Sequence, residues 1–221
     1  MKSKLIVALD VDSFQEAAAL VRATREMVDV YKVGSQLFTR VGPRMIEFLR
    51  EQDRDCFLDL KFHDIPNTVA KAVESAAALK VRMLTLHVAG GEEMLRAAAS
   101  IAHHPLLLGV TVLTSVGGNV RAEVLRRGRL ARKSGLNGVI ASPREIHPLR
   151  EILGGKFLIV TPGIRPASAE RGDQRRTMTP AEAIIAGADY IIVGRPITEA
   201  RNPARAARQI AEEIAFASGA A

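Results

Sequence analysis

Short apolar runs alternate with longer amphipathic segments eight times along this chain, with no linker-like stretch between them. Runs that are apolar throughout and are followed each time by a helical period mark βα units on a parallel sheet covered on both faces. The pattern predicts strands at Leu5 to Asp10, Val30 to Gly34, Cys56 to Lys61, Met83 to Val88, Leu107 to Thr114, Gly138 to Ser142, Phe157 to Pro162 and Tyr190 to Gly194. Ser13 reads as the first helix N-cap, and Pro43, Pro66, Pro143, Pro180 and Pro203 sit near helix starts, where a missing N–H costs nothing. Eight such units in 221 residues predict a (β/α)8 TIM barrel, a single domain over residues 1–221. An open Rossmann-like sheet is the alternative. It is disfavoured because Asp10-Val11-Asp12, not Gly-x-Gly-x-x-Gly, follows the first strand.

Composition narrows the picture. A chain that is 48% hydrophobic can bury one substantial core. No run approaches the roughly 18 apolar residues of a membrane span, and the apolar run after Met1-Lys2-Ser3-Lys4 is too short for a signal-peptide core. A cytoplasmic protein with no membrane partner is expected. Cys56 is the only cysteine, so no internal disulfide can form, and no Cys/His cluster suggests a structural metal. The net charge of +7 favours anionic partners, but it does not separate a nucleic acid from a small phosphorylated substrate.

The candidate chemistry lies at the strand ends. In Phe57-Leu58-Asp59-Leu60-Lys61-Phe62-His63-Asp64-Ile65-Pro66-Asn67-Thr68, alternation sends Asp59 and Lys61 to one side of the strand and Leu58, Leu60 and Phe62 to the other. Asp64 falls just past the strand. Asp10 ends the first strand, Lys32 lies in the second, Thr114 ends the fifth and Arg195 follows the eighth. A barrel carries its function on this rim. Ion pairs placed there are better explained by chemistry than by stability, because a buried pair is often no more stable than an apolar substitute.

With these residues in view, the sequence resembles the orotidine 5'-phosphate decarboxylase family from Leu5 to about Thr198. The most specific segment is Asp59-Leu60-Lys61-Phe62-His63-Asp64-Ile65-Pro66-Asn67-Thr68. Ala8-Leu9-Asp10, Lys32-Val33-Gly34, Val110-Thr111-Val112-Leu113-Thr114-Ser115, Thr161-Pro162-Gly163-Ile164-Arg165-Pro166, Gly172-Asp173-Gln174 and Val193-Gly194-Arg195-Pro196 follow in the family's order. The resemblance implies decarboxylation of orotidine 5'-monophosphate to uridine 5'-monophosphate in de novo pyrimidine biosynthesis, with no metal and no organic cofactor. It implies that Lys61 donates the proton to C6, that Asp59 lies against the departing carboxylate, and that Lys32, Asp59, Lys61 and Asp64 form a charged network. Asp10 would bind the ribose and Thr114 the pyrimidine, with Arg165, Gln174, Gly194 and Arg195 on the phosphate side. Asp64 and Thr68 would act across a homodimer with shared active sites.

The segment between Arg165 and Thr179 is polar and longer than a minimal βα connection, and it reads as a lid carrying Gln174. His63 and His87 are expected as hydrogen-bonded structural histidines, since Lys61 already supplies a proton. The basic run Arg121, Arg126, Arg127, Arg129, Arg132 and Lys133 interleaves with Val120, Val124 and Ala131 at helical spacing, which makes it a solvated helix face rather than a nucleic-acid site. Gly90-Gly91 reads as a turn opening a helix. The competing enzyme reading is a metal-dependent sugar-phosphate decarboxylase or hexulose-phosphate synthase on the same barrel, and Ile65-Pro66-Asn67-Thr68 and the Gln174 segment argue against it.

Overall fold

The structure, a computed structural model, describes residues 3–113, 116, 118, 120–166 and 178–219. Eight parallel strands close into a barrel in chain order, β1 (Leu5–Ala8), β2 (Val30–Gly34), β3 (Asp55–Phe62), β4 (Met83–His87), β5 (Leu106–Val110), β6 (Gly138–Ile140), β7 (Leu158–Thr161) and β8 (Tyr190–Val193). Closure is made by β1 against β8, with Ile6 opposite Ile192. The outer layer is α1 (Phe14–Thr24), α2 (Ser35–Val41), α3 (Arg44–Glu51), α4 (Pro66–Ala78), α5 (Gly91–Ala99), α6 (Arg121–Lys133), α7 (Ile146–Leu153), α8 (Pro180–Ile185), α9 (Arg195–Thr198) and α10 (Pro203–Ala217). The (β/α)8 architecture expected from the sequence is therefore the one found.

Local chemistry explains the helix starts. The Ser13 hydroxyl accepts from the Glu16 N–H, and Thr179 with Glu182 forms a reciprocal capping box around Pro180. The single connection expected after β2 is split in two. Gly42 adopts φ +60°, which an L side chain rarely tolerates, and Pro43 then starts α3.

Two cores follow from strand alternation. Inward residues such as Ile6, Val30, Phe57, Met83, Leu108 and Val160 fill the barrel, while their neighbours pack outward against the helices. Cys56 lies in the outer core, where burial pushes its thiol pKa up and leaves it inert. On α6, Val124, Gly128 and Ala131 are buried while Arg126, Arg129 and Arg132 point outward, as the helical spacing predicts. Among the described residues no helix is long and apolar enough to cross a membrane.

The sequence overestimates most strands at their C-terminal ends. β1 stops at Ala8 rather than Asp10, β6 at Ile140 rather than Ser142, and β5 at Val110 rather than Thr114. Backbone pairing runs one residue further at each of these three ends, through the Leu9, Thr111 and Ala141 N–H groups, before the chain leaves the sheet. Thr114 thus falls past β5, not at its end, and lies outside the described residues.

Candidate active site

Strand register assembles the rim charges. β1 pairs with β2 so that Ala8 faces Lys32, and β2 pairs with β3 so that Gly34 faces Asp59. Inward parity then turns Asp10, Lys32, Asp59 and Lys61 into one end of the barrel. The Lys32 ammonium lies 2.8 Å from Asp10 Oδ1 and 3.7 Å from Asp59 Oδ2. Lys61 Nζ donates to both Asp59 oxygens at 2.9 Å. The result is a row of alternating sign, Asp10, Lys32, Asp59, Lys61.

Exposure along this row is uneven. The side chains of Lys32 and Asp59 are 11% and 13% exposed, whereas that of Lys61 is 36% exposed, so Lys61 is the ammonium that a ligand can reach. Gly34 makes room for the arrangement, since a Cβ there would come within 3.0 Å of Lys32 Nζ and 3.2 Å of Asp10 Oδ1.

Lys61 reaches its position by an irregular path. β3 and β4 pair at Leu58 opposite Leu84, then next at Phe62 opposite Leu86, so the ladder is interrupted over Asp59, Leu60 and Lys61. Lys61 itself has φ +53°, a left-handed conformation that costs a non-glycine residue about 1–2 kcal/mol. Simple alternation predicts the side chain's direction but not this backbone. Leu60 and Phe62 pack against the outer core, as alternation requires.

The charged row forms one wall of a cavity of about 470 Å³. Val110, Val112, Leu113, Ile140 and Ala141 supply an apolar wall, a surface suited to a planar ring. Gly163, Arg165, Gly194, Arg195, Thr198 and Glu199 complete the far side. Arg195 opens α9 directly after β8, with Gly194 at the N-cap. The Arg165 N–H donates to the Met178 carbonyl at 3.0 Å, and a bridge joins Ile164 to Met178. The expected lid with Gln174 lies outside the described residues. Val112, Leu113, Thr198 and Glu199 are cavity residues that sequence reasoning missed. Parity along β5 and proximity to Arg195 were the available signals.

Asp64 does not join the row within its own chain. It is exposed, and its Oδ1 accepts the Ile65 N–H at 2.6 Å. Asp64, Thr68, His63 and Lys61 instead line a second, shallower groove of about 330 Å³, and Ile65 beside it is 66% exposed. The His63 and His87 rings lie with centroids 5.5 Å apart, tilted 42° to one another. Burial holds the His87 imidazole below the ordinary histidine value, and His63, Lys61 and Arg127 push it further down while Asp59 opposes them.

Fold and rim together define a (β/α)8 barrel that carries a row of alternating charges at the C-terminal end of its strands. The family described as Orotidine 5'-phosphate decarboxylase / HUMPS matches residues 3–210 of the chain. The chain is 48% identical to the orotidine 5'-phosphate decarboxylase of Syntrophotalea carbinolica over 98% of its own length and 96% of that protein's. It is 46% identical to that of Actinobacillus succinogenes, covering 97% and 99% of the two chains. The crystal structure of orotidine 5'-phosphate decarboxylase from Lactobacillus acidophilus superposes with a TM-score of 0.84 at 37% identity, covering 96% and 99%. The chain belongs to the orotidine 5'-phosphate decarboxylase family.

Proposed function

We propose that this protein converts orotidine 5'-monophosphate to uridine 5'-monophosphate, with Lys61 stabilising the carbanion at C6 and then protonating it. That it is a decarboxylase of pyrimidine biosynthesis follows from its family and from relatives of that name matched over nearly the whole chain. The residue roles are the proposal. The observation that carries them is the Lys61 ammonium, held at 2.9 Å from Asp59 and open to the cavity.

The chemistry requires such a group. The C6–carboxylate bond breaks heterolytically, carbon dioxide leaves and the electron pair stays on C6, where no adjacent carbonyl delocalises it in the ordinary way. A preoriented ammonium stabilises that pair as it develops. Lys61 then gives its proton to C6, which completes uridine 5'-monophosphate, and regains one from solvent. Asp59 and Lys32 fix the ammonium's position without moving during reaction. Asp59 also stands beside the departing carboxylate.

The remaining assignments extend this reading to the rest of the substrate. Asp10 at the rim bonds the ribose, Thr114 and the apolar wall receive the pyrimidine, and Arg165, Gln174, Gly194 and Arg195 take the phosphate. An arginine there offers a bidentate fork. Asp64 and Thr68 act in the neighbouring subunit's site within a homodimer. Asp64's place outside the row and the exposed Ile65 support this reading. The catalytic unit is the single barrel, uses no cofactor or metal, and works in the cytoplasm.

Loss of orotidine 5'-monophosphate absorbance, followed with chelator present, tests the reaction. Full activity is expected. Activity that vanishes with chelator and returns only with a divalent ion would transfer the site to the metal-dependent sugar-phosphate reading.

A further inference from the structure

We propose that Thr85 is a positioning residue for Lys61 and Asp59, setting the geometry of the reacting ammonium through one hydroxyl. The inference rests on the role proposed for Lys61 and adds a residue that the charged row does not contain.

Thr85 occupies the middle of β4, in Met83-Leu84-Thr85-Leu86-His87. Met83 belongs to the core inside the barrel, whereas Leu84 and Leu86 belong to the outer one, so alternation turns Thr85 inward as well. It is fully buried. A hydroxyl at this depth needs partners. It has two, and both belong to the catalytic strand. The Lys61 backbone N–H donates to Thr85 Oγ1 at 2.9 Å, and Thr85 Oγ1 lies 2.9 Å from Asp59 Oδ1.

The directions of these bonds are forced. A backbone N–H can only donate, so the hydroxyl accepts from Lys61. An ionised carboxylate can only accept, so the hydroxyl's single proton goes to Asp59. Asp59 Oδ1 also receives the Lys61 ammonium. The three residues therefore close a ring in which Thr85 holds the backbone of Lys61 and the carboxylate that holds its side chain.

The register break shows why the ring is needed. Between the pairs Leu58–Leu84 and Phe62–Leu86, Thr85 is the single β4 residue facing Asp59, Leu60 and Lys61. Lys61 at φ +53° cannot use an ordinary strand partner for its N–H. The Thr85 side chain replaces the missing ladder acceptor. Without it this part-buried N–H would lose its partner, and the left-handed turn that aims Lys61 into the cavity would lose its anchor.

Valine has threonine's shape and lacks the hydroxyl, so Thr85→Val separates packing from hydrogen bonding. Ring loss moves the ammonium and the carboxylate together, which acts on the chemical step. We expect kcat to fall by about ten- to a hundredfold, the scale of an ångström-sized misplacement at a reacting group, with KM changed by less than about threefold. Thr85→Ser keeps the hydroxyl and loses a methyl group, so it should lose thermal stability yet recover kcat to within about threefold of wild type. A merely structural threonine predicts the reverse, with activity following stability. Wild-type kcat in Thr85→Val, or kcat falling alike in Val and Ser, would overturn the proposal. Should Thr85→Val not fold, Thr85→Ala against Thr85→Ser carries the same contrast. Lys61→Ala, measured alongside, separates the two levels. If it retains kcat, the reading of Lys61 fails; if it is inactive while Thr85→Val is normal, only the role of Thr85 fails.

Discussion

The Lys61 ammonium touches both oxygens of the Asp59 carboxylate at 2.9 Å, yet it does so from left-handed backbone two residues further along the same strand. The contact is local in sequence but depends on a neighbouring strand to hold its backbone. In the proposed reaction an ammonium so constrained is already in place when charge develops, and that is the condition under which fixed charge lowers a barrier.

Replacing Lys61 with alanine should therefore act on kcat, lowering it by about a hundred- to a thousandfold or more, because the interaction strengthens in the transition state. Arg195→Ala should instead act mainly on KM, with a loss of about 2–4 kcal/mol for a charge-assisted contact. Steady-state kinetics of the two variants separates them. A Lys61→Ala enzyme with near-normal kcat removes Lys61 from the mechanism.

Asp64 stays outside its own chain's row of ion pairs, and a shared site makes a sharp prediction. Inactive Lys61→Ala mixed with inactive Asp64→Ala under subunit exchange should regain about a quarter of wild-type activity, since each heterodimer of a two-fold assembly holds one intact site. No recovery, with heterodimers verified and both variants folded, would place Asp64 outside the partner's site.

His87 links the site to acid stability. Burial depresses its folded pKa below the ordinary histidine value of 6.5, so below that pH the unfolded chain binds a proton that the folded chain resists. The stability His87 contributes is present above 6.5 and declines as pH falls toward its folded pKa. Melting temperatures measured from pH 7 to pH 5 should drop less steeply in His87→Gln than in wild type. Parallel curves would show that the His87 proton does not matter.

Gly138 tests strand packing away from the chemistry. A Cβ on this β6 residue would lie 2.5 Å from the Leu158 carbonyl oxygen and 2.6 Å from the Leu158 Cβ, and the neighbouring strand's backbone cannot swing aside like a flexible side chain. Gly138→Ala should destabilise by about 1–3 kcal/mol, the usual cost of overpacking. In urea this should lower the midpoint with the slope unchanged.

Much of the barrel was legible because its determinants are local. Uninterrupted apolar runs specify strands buried on both faces, and Ser13, Pro66 and Pro180 mark helix starts through their own dihedral and hydrogen-bonding limits. The same period of two placed Asp59 and Lys61 on one side of β3. Strand ends were less legible, since the composition of Leu107 to Thr114 does not say where ladder pairing stops.

By itself the sequence determined eight βα units and the polar positions on the rim at Asp10, Lys32, Asp59, Lys61 and Arg195, for periodicity and chain order suffice to place them. Tertiary structure decided which of them meet. Strand register set Gly34 against Asp59, and barrel closure drew the β8–α9 junction into the same cavity as β5 and β6. It also gave Thr85 its meaning, since a lone threonine in an apolar strand carries no signal until the β3–β4 register breaks opposite it. Such pairings join residues far apart in the chain, and only closure of the sheet determines which donor finds which acceptor.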